Sequence, residues 1–294
     1  MKTLFIERNG PDCMGPVLEG LFTAAQTLGY KVDWWLRQHF LHECDVLIHW
    51  GWQWTEDVQR RTRLAKRHIY IERGWFNDRD TCLQVDPQGT SSRASWLNDV
   101  LVYTEGGPLK IRSDGALLVC LRYERGGVSV DNPCPYFQNN SQWLMHFASL
   151  SIPFPVIVRP HFVNNRAASD TRQWRDIATA QKWEWSPGTE LIEQQPILSR
   201  CKAVAVVDST VGAKALELGL PVLCYGNPVY RKPGVCYEMT DDTNRAQRII
   251  YQIGNCCCSL DRGAIKAMVA KMKSKEWHAE DIPQFPDRLR AMGL

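Results

Sequence analysis

Between Val204 and Gly226 the chain reads VAVVDSTVGAKALELGLPVLCYG, and Asp208-Ser209-Thr210 falls between an apolar run and a helical pattern. Two hydroxyls and the amides of Val211 and Gly212 would then open a helix. The first turn of a helix has unbonded N–H donors and a positive dipole end, so such a turn can hold a phosphate. The same Ser/Thr pair also suits an ordinary N-cap, and the residues alone leave both uses open. His161 follows Pro160 at the end of another apolar run. By itself it is either a loop histidine bonded to backbone or a phosphate contact. Glu72-Arg73 closes a third apolar run and reads first as a local ion pair, an arrangement that contributes little at a surface.

Placing these residues is the task of the elements around them. Val204–Val207, a helix over Val211–Leu218 stopped by Gly219, and a second run Pro221–Tyr225 make one βαβ unit of a parallel sheet. Its polar turn lies at a strand's C-terminal end, where open α/β sheets bind ligands. The same alternation runs along the whole chain. Strands are expected at Lys2–Glu7, Lys31–Leu36, Val46–Trp50 and Ile69–Ile71. A helix is expected over Val17–Leu28, stopped by Gly29, and another over Glu56–Arg67 with Thr55 as N-cap. After turn signals between Tyr103 and Gly115 a second series begins. Its strands are Ala116–Leu121, Pro155–Arg159 and Trp183–Trp185, and its helices Ser141–Leu150, Asp170–Ala180 and Leu191–Arg200. Helices over Asn244–Ile253 and Leu260–Lys273 close the chain. Strands alternating with helices imply parallel sheets covered on both faces. No repeat or low-complexity stretch interrupts them.

Length and composition agree with two domains. The 294 residues are enough to bury a substantial core, and no apolar run nears the roughly 20 residues of a membrane span. MKTLFIERNGPD is charged too early for a secretory signal. Eleven cysteines are an odd count with no CxxC spacing, which suits buried thiols in a reducing cytoplasm better than a disulfide framework. No function attaches to Cys256-Cys257-Cys258, and no His/Cys cluster or Asp-x-Asp pair marks a metal site. A net charge of +3 does not demand a polyanion partner. Basic clusters at Arg60–His68 and Lys266–Lys275 read as solvated helix faces. Twelve tryptophans, crowded toward the first quarter, are mostly core, although aromatics beside a loop site can stack on sugars or bases.

The run DSTVGAKALELGLPVLCYGNPVY resembles the C-terminal signature of capsule polysaccharide glycosyltransferases of the Kdo-transferring type. PFPVIVRPHF (Pro153–Phe162) resembles that family's strand ending in a Lys-x-His-Pro type motif, with Arg159 and His161 in register. YIERGWFNDRDTCLQVDPQGTSSRASW (Tyr70–Trp96) resembles its Glu-x-Gly segment, and LLVCLRYERGGVSVD (Leu117–Asp131) corresponds loosely to the strand and loop between. The resemblance implies a GT-B-like α/β fold, two Rossmann-like domains facing across a cleft. Residues 1–110 would form the acceptor side and residues 111–294 the nucleotide-sugar side, with the last helix free to pack back on the first domain. It also implies chemistry without a metal or other cofactor.

Transfer from a nucleotide-sugar leaves negative charge on the departing phosphate. Arg159, His161, Ser209, Thr210 and the amides of Val211 and Gly212 are the groups expected to meet it. The acceptor hydroxyl needs a carboxylate as base; Glu72 is the first candidate, then Asp78 and Asp12. Asp78, Asp80 and Asp86 also read as plain solvated loop residues. Lys214 stands where the family carries Glu, and lysine cannot accept hydrogen bonds. Either Glu217, one turn later, takes part of that role or the donor is held differently. The acceptor stays open between a capsule-type glycan and a hydroxymethylated base in phage DNA, which would need a basic track and room for an everted base. A non-catalytic nucleotide- or sugar-binding protein on a transferase scaffold is the reading from another class.

Overall fold

The computed structural model describes residues 1–294 apart from 9–14, 51–55, 77–81, 89–93, 97–98, 105, 126–127, 130–133, 162–167 and 187–193. Asp12, Thr55, Asp78 and Asp80 lie outside the described residues. The chain divides into two compact units, one of residues 1–100 with 271–294 and one of residues 101–270.

In the first unit the expected strands appear as β1 (Thr3–Glu7), β2 (Lys31–Trp35), β3 (Val46–Trp50) and β4 (His68–Arg73). Helix α1 (Gly15–Thr27) buries Val17, Leu18, Leu21, Ala24 and Ala25. That is the three-and-four spacing of a helix laid on a sheet. Gly29, at φ +84°, ends the turn after it. Helix α2 is shorter than its sequence pattern, Glu56–Thr62 rather than Glu56–Arg67. Ala65 donates back to the Thr62 carbonyl, and Lys66 donates to Cys44, so tertiary pairing takes the chain out of the helix. The basic cluster is therefore not one helix face. Arg61 donates to the carbonyls of Arg37 and Gln38, and Arg67 to those of Met292 and Gly293.

Strand β5 (Cys82–Asp86) runs antiparallel to β4, which the periodicity did not announce. Asp86 is not a solvated loop carboxylate: it is buried and accepts from the Ser95 amide and hydroxyl and the Gln88 amide.

The second unit holds a six-stranded sheet that is parallel throughout. Its strands are β6 (Ala116–Cys120), then, beyond a small β7–β8 pair (Glu124–Arg125 with Val128–Ser129), β9 (Val156–Arg159), β10 (Glu184–Trp185), β11 (Cys201–Val206), β12 (Val222–Cys224) and β13 (Tyr237–Glu238). The helices between and after them are α3 (Asn140–Ala148), α4 (Ala168–Ala180), α5 (Gln194–Ser199), α6 (Thr210–Glu217), α7 (Thr243–Gly254) and α8 (Arg262–Ser274). Asn139 caps α3 through the Gln142 amide, and Asp242 caps α7 through that of Arg245.

Chain from 271 onward belongs to the first unit. There β14 (Glu276–His278) adds an antiparallel edge to β5, giving the order β14-β5-β4-β3-β1-β2. Helix α9 (Phe285–Ala291) sets Phe285 and Leu289 into the core beneath α1. A Cβ on Gly20 would come within 2.6 Å of Ile282 and 3.1 Å of Phe285, so the helix can approach only because that residue has no side chain.

Burial pushes the imidazoles of His68 and His146 below their ordinary value of 6.5, with His146 set among Phe137, Phe147 and Tyr225. The unfolded chain binds protons at these histidines first, so stability should fall as pH drops below about 6.5 and level off below the folded values. Urea midpoints measured between pH 7.5 and 5.5 should decline in wild type and decline less in His146→Gln. Equal slopes would mean that His146 contributes nothing to the linkage.

Candidate functional site

In the second sheet β9 and β10 lie on one side of β6, and β11, β12 and β13 on the other. The order reverses between β6 and β11, and the C-terminal ends of those strands are the usual position of a ligand crevice in such sheets. Cys120 pairs with Arg159, and Val119 with Ala205. Counting on from those pairs, Arg122 stands level with His161 on one side and with Asp208 on the other. The fold thus brings Arg159, His161, Ser209, Thr210, Val211 and Gly212 to one edge of one sheet. Glu217 sits at the far end of α6, about 10 Å along the axis from Thr210.

The turn after β11 is built from inside. Ser209 caps α6, its hydroxyl accepting from the Val211 amide at 3.2 Å, while the Gly212 amide donates to the Ser209 carbonyl at 3.0 Å. The cap is therefore formed, and both amides have an internal partner. The Ser209 carbonyl also accepts from the buried Tyr230 hydroxyl at 2.6 Å. Gly212 is required here: a Cβ would collide with the Tyr230 hydroxyl and lie 2.6 Å from its Cζ. Gly212→Ala should cost about 1–3 kcal/mol, the range for overpacking a tight interior. Much of that should return in the double variant with Tyr230→Phe. Urea titration of both checks it, and an equal cost in either background would rule out the hydroxyl as the cause.

Arg122 is the residue that sequence reasoning missed. Its Nε faces Glu124 at 3.3 Å, its Nη2 donates to the Phe137 carbonyl at 2.8 Å, and Asn140 bonds both its amide and its carbonyl. Its Nη1 is buried with no hydrogen-bond partner. A buried N–H left unbonded is costly, and more so on a charged group. The guanidinium therefore carries unused donor capacity just past the end of β6, where the strand order reverses. The apolar run before it, Leu117 to Leu121, marks the strand end, but only the strand order reveals that this end is the reversal point.

Arg159 is buried at the end of β9, and His161 is half-buried with its ring 5.5 Å from that of Tyr123. Lys214, the departure from the family pattern, is buried with its ammonium 3.5 Å from Glu217 Oε2. The two side chains share a charge pair, so Glu217 is engaged with the lysine itself. Two guanidinium groups, an imidazole and a helix start at one sheet edge favour an anion.

Residues 157–252 match the family of capsule polysaccharide biosynthesis proteins, a span that includes β9, α6 and the turn between β11 and α6. The match lies within the second unit. Among the solved structures that resemble nearly the whole chain are two of KpsC from Thermosulfurimonas dismutans. The beta Kdo 2,7 transferase is 15% identical with a TM-score of 0.55, covering 98% of this chain and 100% of its own. The beta Kdo 2,4 transferase is 15% identical with a TM-score of 0.52, covering 97% and 98%. At that identity the likeness establishes the fold, two α/β units of the GT-B kind. No curated protein matches the sequence.

In the first unit Glu72 lies inside β4 rather than just past its end, half-buried and opposite Gln84 of β5. Gly74 follows β4 directly, where a glycine after Glu72-Arg73 would suit a sharp turn, but no such turn forms. Its amide continues the ladder to the Cys82 carbonyl at 3.1 Å, and it is glycine because Cys82 Sγ and Glu276 lie against its Cα. Among the described residues one group has metal-ligand types close together, Cys82, Glu276 and His278. It belongs to this unit and not to the crevice. Seven of the cysteines among the described residues are buried, and burial pushes the Cys120 and Cys201 thiols up to about 12, which keeps them protonated and unreactive. No helix among the described residues is long and apolar enough to cross a membrane.

Proposed function

We propose that the protein transfers a sugar from a nucleotide-sugar donor to a hydroxyl of a capsule-type glycan. The observation that carries this reading is the buried, under-used Arg122 guanidinium at the point where the strand order reverses, level with His161 and beside the start of α6. A phosphate held there would satisfy Arg122, and Arg159, His161 and the α6 start would oppose the charge that grows on it as the bond to the sugar breaks. The acceptor oxygen attacks the anomeric carbon, its proton passes to a carboxylate, with Glu72 first in line, and the nucleotide leaves with the bonding electrons. These cationic groups take the role a metal would otherwise play, so transfer is expected to continue in EDTA without added Mg²⁺ or Mn²⁺. Loss of activity in EDTA that Mg²⁺ restores would defeat that part of the proposal.

A glycan acceptor is favoured over DNA because Arg61 is committed to the carbonyls of Arg37 and Gln38, which depletes the basic track a duplex would need. The deciding experiment is a panel of nucleotides and nucleotide-sugars screened for thermal stabilisation, followed by assay of the hit with a glycan primer and with hydroxymethylated DNA. Ligands that bind only the folded state raise Tm by mass action. One nucleotide class should stabilise wild type and not Arg122→Lys, which keeps the charge but not the planar fork. No stabilisation by any nucleotide would sink the proposal, and stabilisation without transfer would convert it to a binding protein.

A further inference from the structure

Three side chains at the outer edge of the first sheet come from strands distant in sequence. Cys82 of β5 pairs directly with His278 of β14, and Glu276 stands two residues back on the same face of β14. Trp277 and Leu83, between them, point the other way into the core. Sulfur, carboxylate oxygen and imidazole nitrogen all lie within 4.8 Å of one another. Gly74 supplies the room, since any Cβ there would occupy the space over which Cys82 Sγ and Glu276 Oε1 lie.

Glu276 Oε1 accepts from the amides of Trp75 and Phe76, while Oε2 faces His278 Nε2 at 3.7 Å, beyond hydrogen-bond length. Of the nearby cations, Lys273 has its ammonium over the Phe76 ring at 5.2 Å, and Arg288 donates to the Glu276 carbonyl and pairs with Asp281. Cys82 and Glu276 are buried, and His278 is open on one side. A thiolate and a carboxylate carry two negative charges, which one divalent ion balances. Zinc bonds sulfur at about 2.3 Å and nitrogen or oxygen at about 2.0–2.2 Å, so a small contraction of the trio completes three corners of a tetrahedron. Water reaches the fourth past the exposed edge of His278. Thiolate ligation disfavours Mg²⁺ and Ca²⁺, which take oxygen ligands.

We infer that Cys82, Glu276 and His278 form a zinc site that fastens the returning strand β14 to β5. Binding replaces the thiol proton with the metal and closes a long loop of chain, from Cys82 to Glu276, at one point.

The test uses the full chain with Cys256, Cys257 and Cys258 all changed to Ser, because those thiols are the competing zinc ligands. Zinc content by mass spectrometry after dialysis should be one ion per chain, and should vanish in Cys82→Ser and in His278→Gln. Cobalt added to metal-stripped protein should give a thiolate-to-metal charge-transfer band that both variants lose. Zinc should raise Tm of the stripped protein by about 5–10 °C and leave that of the variants unchanged. His278→Gln alters a half-exposed side chain, so it remains informative if Cys82→Ser fails to fold. Zinc or cobalt signals that persist in His278→Gln, or a stripped protein that takes up no metal, would overturn the inference. The trio would then be a carboxylate holding the Trp75 and Phe76 amides and no more.

Discussion

Glu72→Gln is expected to keep the nucleotide-sugar affinity of the wild type and to lose transfer by 10² to 10⁴, the usual contribution of a positioned base. The two side chains have the same shape, and Gln can still donate or accept where Glu72 sits opposite Gln84 on β5. Folding should therefore survive, and the loss should fall on kcat. The carboxylate is half-buried near the C-terminal end of β4, as a base needs if it is to reach a substrate hydroxyl and still be oriented by its strand. Single-turnover transfer and donor titration together separate the two effects. Wild-type transfer by the variant would move the role to Asp78 or Asp12.

His161→Ala should lower turnover by about 10²-fold or more, the scale for removing one donor that opposes developing charge. The residue lies just past β9, level with Arg122, with its ring 5.5 Å from that of Tyr123. Its side chain is half-buried, and circular dichroism and Tm should stay close to wild type. Donor affinity should fall much less than kcat, because the charge it opposes is larger in the transition state than in the bound donor. Unchanged turnover would remove His161 from the mechanism. An equal loss in binding and in rate would make it a ground-state contact only.

The second unit was the more legible half, for a physical reason. Its central strands are short apolar runs that end at polar turns, and α6 is stopped by Gly219, which does take a positive φ of +71°. Local signals therefore carry most of that topology. In the first unit β5 and β14 are CLQVD and EWH, brief segments with polar residues on one face. Strand β14 pairs with β5 from far along the chain, and no periodic pattern encodes such a pairing. The early end of α2 and the burial of Asp86 have the same origin, since Cys44 and Ser95 impose them from elsewhere in the chain.

Within the candidate site, the residue types at 159, 161 and 208–212 were readable because each closes a strand or opens a helix. Arg122 was not. In LRYERGG it reads as one more surface charge, and its burial follows from Phe137, Glu124 and Asn140, which the fold supplies. The Ser209 cap on the Val211 amide was one of the two uses the residues left open, whereas the Tyr230 hydroxyl on the Ser209 carbonyl was not readable from the sequence.

The order in which the chain leaves a ribosome gives the returning segment a further meaning. Residues 101–270 are contiguous and can fold as soon as they emerge. Residues 1–100 cannot finish until residues 101–270 have been made, because Trp277, Phe285 and Leu289 of their core follow that segment. Until then Leu4, Leu21 and Ile69 lack part of their cover, and β5 presents an open edge. Residues 1–100 thus complete their core only after residues 101–270 have been made, and a chain terminated before 271 would leave them exposed to chaperones and proteases.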